Sequence, residues 1–156
     1  MNPVSSILNN VVRFLATGFG SGYAPIAPGT AGTVVAIIPY YFLQQLSLSI
    51  YLGVVIVAII LGIYLCQQAD QQLGGHDNKQ IVWDEFCGFW LTMTAIPFTW
   101  LHVLLGFLLF RYFDIHKPWP IRWADQKLTG GLGVMVDDVF AGLAACACMH
   151  ILIAII

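Results

Sequence analysis

Two long apolar runs constrain the fold of this chain more than any other feature of its sequence. Residues 50–66 form a run of 17 residues without a polar side chain, and residues 139–156 form a second such run that only His150 interrupts. A helix of about 20 apolar residues spans the hydrocarbon core of a bilayer. Charged side chains make up only 9% of the chain, whereas a soluble domain carries about 25%. The sequence therefore predicts an all-α protein that is embedded in a membrane as a single domain, residues 1–156.

Two further apolar segments extend this prediction. Residues 33–43 are apolar but short and contain Pro39, and residues 86–110 form 25 uncharged residues with Pro97 near their middle. Because proline disrupts a helix interior, the second segment either crosses once with a kink or turns back near Pro97. We expect a full or re-entrant hairpin here, and hence about five short or full transmembrane helices.

The charged residues are unevenly distributed along the chain. Arg13 stands alone, and the other 13 fall within residues 70–85 and 111–138. A hairpin between these two blocks would bring all six lysine and arginine residues to the same side of the membrane. The positive-inside rule makes that side the cytoplasm. The net charge of −2 gives no indication of a nucleic-acid partner, and the sequence does not predict an oligomeric state.

Two pairs of adjacent carboxylates are the first candidate site residues. Asp84 with Glu85, and Asp137 with Asp138, lie where a charged loop is expected to become an apolar helix. One interpretation is helix capping, because acidic residues stabilise a helix N-terminus. The other is a metal site, because Mg²⁺ is usually held by one or two carboxylates together with substrate phosphate and water. A cap needs one acid rather than two, which favours the metal site.

Basic residues close to these acids are candidate phosphate ligands. Arg111, Asp114 and Lys117 follow one another at three-residue intervals before Pro118, which places them on one face of a helix end. A salt-bridged helix end and a phosphate-binding site both fit this spacing. The second interpretation is favoured because the chain has only six basic residues, and because Arg and Lys both bind phosphate well.

A glycine-rich segment, residues 18–33, also has two interpretations. Glycines that open a helix offer backbone N–H groups to an anion, which makes Thr30 a candidate phosphate ligand. The same composition suits a re-entrant turn whose small residues allow close packing. The segment is not a Walker A loop, because no lysine precedes Thr30.

Four sequence blocks, taken in this order, resemble the bacterial phosphatidylglycerophosphatase A family. They are PGTAG (28–32), IVWDEF (81–86), FRYFDIHKPWPIRW (110–123) and GGLGVMVDDVFAG (130–142). The resemblance runs from about Phe14 to Gly142. It implies a Mg²⁺-dependent enzyme of phospholipid biosynthesis in the bacterial inner membrane, which removes the terminal phosphate of phosphatidylglycerophosphate to give phosphatidylglycerol.

The resemblance also implies roles for individual residues. The implied catalytic residues are Asp84, Glu85, Asp114, Asp137 and Asp138, of which Asp84, Glu85, Asp137 and Asp138 would bind Mg²⁺. The implied phosphate ligands are Arg111, Lys117, Thr30 and Arg122. Asp77 and Asp125 match further aspartates of the family, although Gln126 stands where the family often has arginine. Asp70 has no counterpart in the family pattern and is left out of the predicted site.

Two other functions fit parts of the pattern. A small cation transporter or channel subunit would use carboxylates in the membrane, but it predicts acids inside the spans rather than at their ends. A phosphotransferase acting on a nucleotide-activated lipid would need a long Asp-x-x-Asp-Gly signature, which the sequence lacks. No Ser-His-Asp or Cys-x5-Arg arrangement is visible, so covalent serine or cysteine chemistry is not expected. Attack by a metal-activated water and attack by an aspartate both stay open.

Overall fold

The helices of the protein are seen in a computed structural model that describes residues 3–75 and 78–155. Within these ranges the chain is all-helical, as the sequence predicts. The helices are α1 (Pro3–Ala16), α2 (Pro28–Leu43), α3 (Leu48–Gln72), α4 (Trp83–Thr92), α5 (Trp100–His116), α6 (Ile121–Lys127) and α7 (Gly130–Ile155). A short 3-10 turn, Ser21–Tyr23, lies between α1 and α2.

Helix α4 is the centre of the fold. Eight of its ten residues are buried, and a helix that is apolar all round has to be enclosed by other helices. Helices α2, α3, α5 and α7 pack around it. The indole N–H of Trp83 donates to the carbonyl oxygen of Ala58 in α3 at 3.1 Å, and that of Trp90 donates to Ala36 in α2 at 3.0 Å. These bonds fix the rotation of α4, and with it the direction of the acidic residues in its first turn.

Helices α4 and α7 approach each other closely at a pair of glycines. A Cβ atom at Gly142 would lie 2.6 Å from the carbonyl oxygen of Gly88, and one at Gly88 would lie 3.0 Å from the carbonyl oxygen of Asp138. Small residues let helix backbones come this close. The contact brings the segment of α7 that carries Asp138 against α4.

Substitution of Gly142 by alanine should destabilise the protein. The added methyl group would meet the backbone of Gly88, which cannot move without shifting α4, and overpacking of this kind costs about 1–3 kcal/mol. Gly53→Ala on α3 is the matched control, because nothing lies within 4 Å of a Cβ atom there and alanine favours a helix. Thermal unfolding in detergent should show a lower midpoint for Gly142→Ala alone. Equal midpoints for the two variants would contradict the close approach.

The chain reverses direction between α4 and α5, in the segment that contains Pro97. The side chain of Thr99 caps α5 by accepting a hydrogen bond from the backbone N–H of His102 at 3.0 Å. Arg111, near the end of α5, lies beside Glu85 at the start of α4. The end of α5 therefore returns to the start of α4. The ten residues of α4 extend only about 15 Å, half the thickness of a bilayer core. The segment is therefore a hairpin with one short arm.

The number of helices suited to span a membrane is smaller than predicted. Within the described residues, α3 and α7 are long and apolar enough to cross a bilayer, whereas about five spans were expected. Helix α2 is apolar but has only 16 residues. Large apolar side chains cover the outward faces of α3 and α7, among them Ile56, Val57, Ile60, Leu143 and Ile151.

The start of α7 also differs from the prediction. The helix begins at Gly130, so Asp137 and Asp138 lie in its third turn and not at its start. The N-terminal glycines pack against α3: the N–H of Gly131 donates to the side chain of Gln67 at 2.8 Å. A Cβ atom at Gly131 would collide with the carbonyl oxygen of Ile63. Packing against α3 thus makes a helix of a segment that its glycines alone would leave as a loop.

Candidate active site

An open polar cavity of about 630 Å³ gathers most of the charge of the protein. Of the 14 charged residues in the chain, ten line it, and seven carboxylates against three basic groups give a formal charge of −4. The ionisable lining residues are Asp70, Lys79, Asp84, Glu85, Arg111, Asp114, Lys117, Asp125, Asp137 and Asp138. Residues 27–29, at the start of α2, also line the cavity.

The predicted acidic residues come together in two overlapping groups. One carboxylate oxygen from each of Asp84, Glu85 and Asp138 lies within 4.8 Å of the other two, and the same holds for Asp114, Asp137 and Asp138. Asp138 belongs to both groups and is 3% exposed. Asp114 therefore lies beside two of the four carboxylates that the sequence predicts to bind metal.

Four of these carboxylates have an oxygen that is buried and lacks a hydrogen-bond partner among the described residues. The atoms are Asp84 Oδ1, Glu85 Oε2, Asp137 Oδ1 and Asp138 Oδ2. A buried charged group is costly unless it is paired or coordinates a metal. Hard oxygen donors at this spacing suit a divalent cation such as Mg²⁺. The donor set therefore fits the ion that the sequence predicts.

Helix capping does not explain both acidic pairs. Asp137 and Asp138 lie more than two turns inside α7, beyond the first turn, to which capping and the helix dipole are confined. Asp84 and Glu85 do occupy the first turn of α4, where the dipole favours a negative charge. The position of Asp84 and Glu85 is thus compatible with helix capping and with a metal site. The position of Asp137 and Asp138 is not compatible with capping.

Burial also raises the pKa values of the acidic pair on α4. Burial raises the pKa of Glu85 to about 7, and the negative charge of Asp114 adds to this shift. Burial likewise raises the pKa of Asp84 well above its ordinary range, as does the charge of Glu85 beside it. A bound cation favours the ionised carboxylates and opposes both shifts.

Arg111 and Lys117, the predicted phosphate ligands at the end of α5, line the cavity. Each forms ion pairs with acidic side chains. Arg111 Nη1 lies 2.6 Å from Asp114 Oδ2 and 3.7 Å from Glu85 Oε1. Lys117 Nζ donates to Asp137 Oδ2 at 2.6 Å and also to Asp125 Oδ1. Burial alone lowers the pKa of Lys117, but its hydrogen bonds and the charges of both aspartates raise the pKa above its usual value. Both side chains therefore face the acidic cluster.

Close packing is visible at the start of α2. A Cβ atom at Gly29 would collide with Glu85 Oε1 and lie 3.2 Å from Nη1 and Nη2 of Arg111. A side chain at position 29 would therefore have to displace the charged ends of Glu85 and Arg111. Thr30 and the exposed Arg122 do not line the cavity, and their contacts with phosphate stay predictions.

Comparison with known proteins decides the relationship that the motifs suggest. The sequence profile described as phosphatidylglycerophosphatase A matches residues 14–153. The chain belongs to the phosphatidylglycerophosphatase A family. The protein of Escherichia coli (strain K12) named phosphatidylglycerophosphatase A is 44% identical over 144 residues, which cover 92% of this chain and 84% of that protein. The Haemophilus influenzae protein of the same name is 45% identical over 150 residues, covering 92% and 90% respectively. No solved structure matches the chain.

Membership of the phosphatidylglycerophosphatase A family, a family of lipid phosphatases, confirms the predicted enzyme class. It also decides against the transporter or channel subunit. The position of the acids alone would not have done so, because Asp137 and Asp138 lie inside α7, one of the two helices suited to span a membrane.

The structure adds lining residues that the family pattern did not indicate. Asp70, at the end of α3, lines the cavity and accepts a hydrogen bond from the backbone N–H of Asn78 at 3.4 Å. Lys79 and Thr129 line it as well. The available signal was the position of Asp70 and Lys79 in the first charged block. Asp77, predicted in the same block, lies outside the described residues.

Proposed function

We propose that this protein hydrolyses the terminal phosphate monoester of phosphatidylglycerophosphate in a Mg²⁺-dependent reaction and gives phosphatidylglycerol. The names of the family and of its two relatives support the substrate. The observation that carries the metal dependence is the set of buried carboxylate oxygens without a hydrogen-bond partner in a cavity that Arg111 and Lys117 also line. Anionic ligands and cationic groups in one cavity are what a metal-assisted phosphatase requires.

The residues of the cavity divide into two tasks. Asp84, Glu85, Asp137 and Asp138 would hold Mg²⁺, which when bound neutralises phosphate charge and makes a water molecule more acidic. Arg111 presents a planar guanidinium that matches two phosphate oxygens, and Lys117 presents a point charge. Both basic groups would exchange a carboxylate partner for a phosphate oxygen when the substrate enters.

Exposed apolar side chains next to the cavity support a lipid substrate. Ile26 is 85% exposed and precedes the lining residues of α2, and Trp119 is 83% exposed and follows Lys117 by two residues. Tryptophan favours the boundary between a membrane and water. A cavity at that boundary would receive the charged headgroup while the acyl chains stay in the bilayer.

A phosphate-release assay on the purified protein tests the metal dependence. With phosphatidylglycerophosphate as substrate, we expect activity to vanish with excess chelator and to return with Mg²⁺. Ca²⁺ should substitute poorly, because its coordination is longer and less regular. Full activity in excess chelator would contradict the proposed role of the four carboxylates.

We also propose that the protein crosses the bacterial inner membrane several times and that the cavity opens to the cytoplasm. The basic lining residues Lys79, Arg111 and Lys117 lie together at the cavity, and the positive-inside rule places them on the cytoplasmic side. Single cysteines at Asn78, Gln126 and Ser47, in a chain without the four native cysteines, test this orientation. An impermeant thiol reagent should label only Ser47→Cys in intact cells, whereas labelling of Asn78→Cys from outside would contradict it.

A further inference from the structure

The acidic cluster contains more ligand groups than one Mg²⁺ requires. A single Mg²⁺ is usually held by one or two carboxylates, whereas five carboxylates form the two overlapping groups. The groups share Asp138, which the structure buries to 3% exposure. Each of the other four acids belongs to one group only: Asp84 and Glu85 to the first, Asp114 and Asp137 to the second.

Unpartnered buried oxygens occur in both groups. Glu85 and Asp137 are 9% and 7% exposed. One oxygen of Glu85 lies near Arg111, and one oxygen of Asp137 accepts from Lys117. The other oxygen of each acid is buried and has no hydrogen-bond partner among the described residues. The same holds for Oδ2 of Asp138. Lys117 thus satisfies one oxygen of Asp137, and Arg111 forms a longer ion pair with one oxygen of Glu85, while the second oxygen of each acid is left for another ligand.

The charge of the cavity is consistent with two divalent ions. Its lining carries a formal charge of −4, so one divalent cation would leave −2 and two would leave zero. Like charges this close are unfavourable without counter-ions. Pairs of metal ions that share a ligand occur in enzymes that transfer or hydrolyse phosphates.

We propose that the site binds two divalent cations, one through Asp84, Glu85 and Asp138 and one through Asp114, Asp137 and Asp138. Asp138 bridges the two ions. This assignment rests on the proposed function, because it deepens the metal dependence of the same site. It gives Asp114, which the sequence places with the phosphate-binding motif, a second role as a metal ligand.

Manganese binding to the purified full-length protein in detergent tests the assignment without measuring activity. Titration followed by electron paramagnetic resonance should show two Mn²⁺ per chain, and the frozen sample should show a spin-coupled pair. Asp84→Asn and Asp114→Asn should each retain one uncoupled Mn²⁺. Affinity for the lost ion should fall by roughly tenfold or more, since even outer-shell changes have effects of this size. Asp70→Asn, which lines the cavity outside both groups, is the matched control and should bind two.

One Mn²⁺ per wild-type chain, or a coupled pair that survives in Asp114→Asn, would overturn the assignment. The wild-type count provides this test even if a variant does not fold. A separate assay of phosphatidylglycerophosphate hydrolysis distinguishes the two proposals. A protein that is active with a single ion would overturn the two-ion assignment alone, whereas a protein that binds two ions but does not release phosphate would overturn the proposed function alone.

Discussion

Asp138→Asn should turn over phosphatidylglycerophosphate roughly a thousandfold more slowly than the wild-type protein, comparable to the upper range for removing one preorganised charge-stabilising group. The substitution keeps the size of the side chain but replaces a charged oxygen with a neutral amide. Asp138 is the carboxylate that both acidic groups share and is 3% exposed. Initial rates with saturating Mg²⁺ measure the effect.

The stability of Asp138→Asn separates a role in the site from a role in the scaffold. Because the acids repel one another when no cation is bound, removal of one charge should raise the unfolding temperature in chelator above that of the wild type.

Asp70→Asn is the control for the turnover measurement and should stay within about threefold of wild-type turnover, because it lies outside both groups. Near-normal turnover by Asp138→Asn would show that this carboxylate is not a metal ligand.

Lys117→Met should lower kcat/KM by roughly a hundredfold or more, the size of effect that follows removal of one charge-stabilising donor. Methionine keeps an unbranched apolar chain but loses the ammonium group that contacts Asp125 and Asp137. The variant would lack a phosphate ligand and would hold Asp137 less firmly. Its residual activity should still depend on Mg²⁺, because the carboxylates remain. Rates measured across a Mg²⁺ titration check both statements.

Lys127→Met provides the matched control for this substitution. Lys127 is exposed on α6 and does not line the cavity, so its replacement removes the same charge without touching the site. Wild-type kcat/KM is expected for Lys127→Met. An equal loss in both variants would assign the effect to net charge or membrane binding and not to contact with the phosphate.

Several features of the fold follow from local sequence rules. Pro97 lies within the break between α4 and α5, as the incompatibility of proline with a helix interior predicts. Asp84 and Glu85 were expected at a helix start and occupy the first turn of α4. The reversal near Pro97 brings Arg111 to Glu85, which is why two charged blocks far apart in the sequence line the same cavity.

Other features depend on packing that local rules do not contain. The glycines at positions 130–133 have low helix propensity, yet α7 includes them because Gly131 packs closely against α3. Because α7 begins earlier than predicted, Asp137 lies in its third turn and not at its start. Helix α1 was not predicted, since its apolar positions are too few to mark a span, although Val12 and Ala16 are buried. Asp70 matches no family motif. It lines the cavity because it lies near the end of α3, a position that the sequence pattern alone does not reveal.

Phosphorus NMR of phosphatidylglycerophosphate incubated with the purified protein and Mg²⁺ tests the proposed hydrolysis. We expect the phosphomonoester signal to disappear, inorganic phosphate to appear in equal amount, and the phosphodiester signal to remain. The same sample with Asp138→Asn should keep the monoester signal over the same time. A persistent monoester signal with the wild-type protein, or loss of the phosphodiester signal, would contradict hydrolysis of the terminal phosphate.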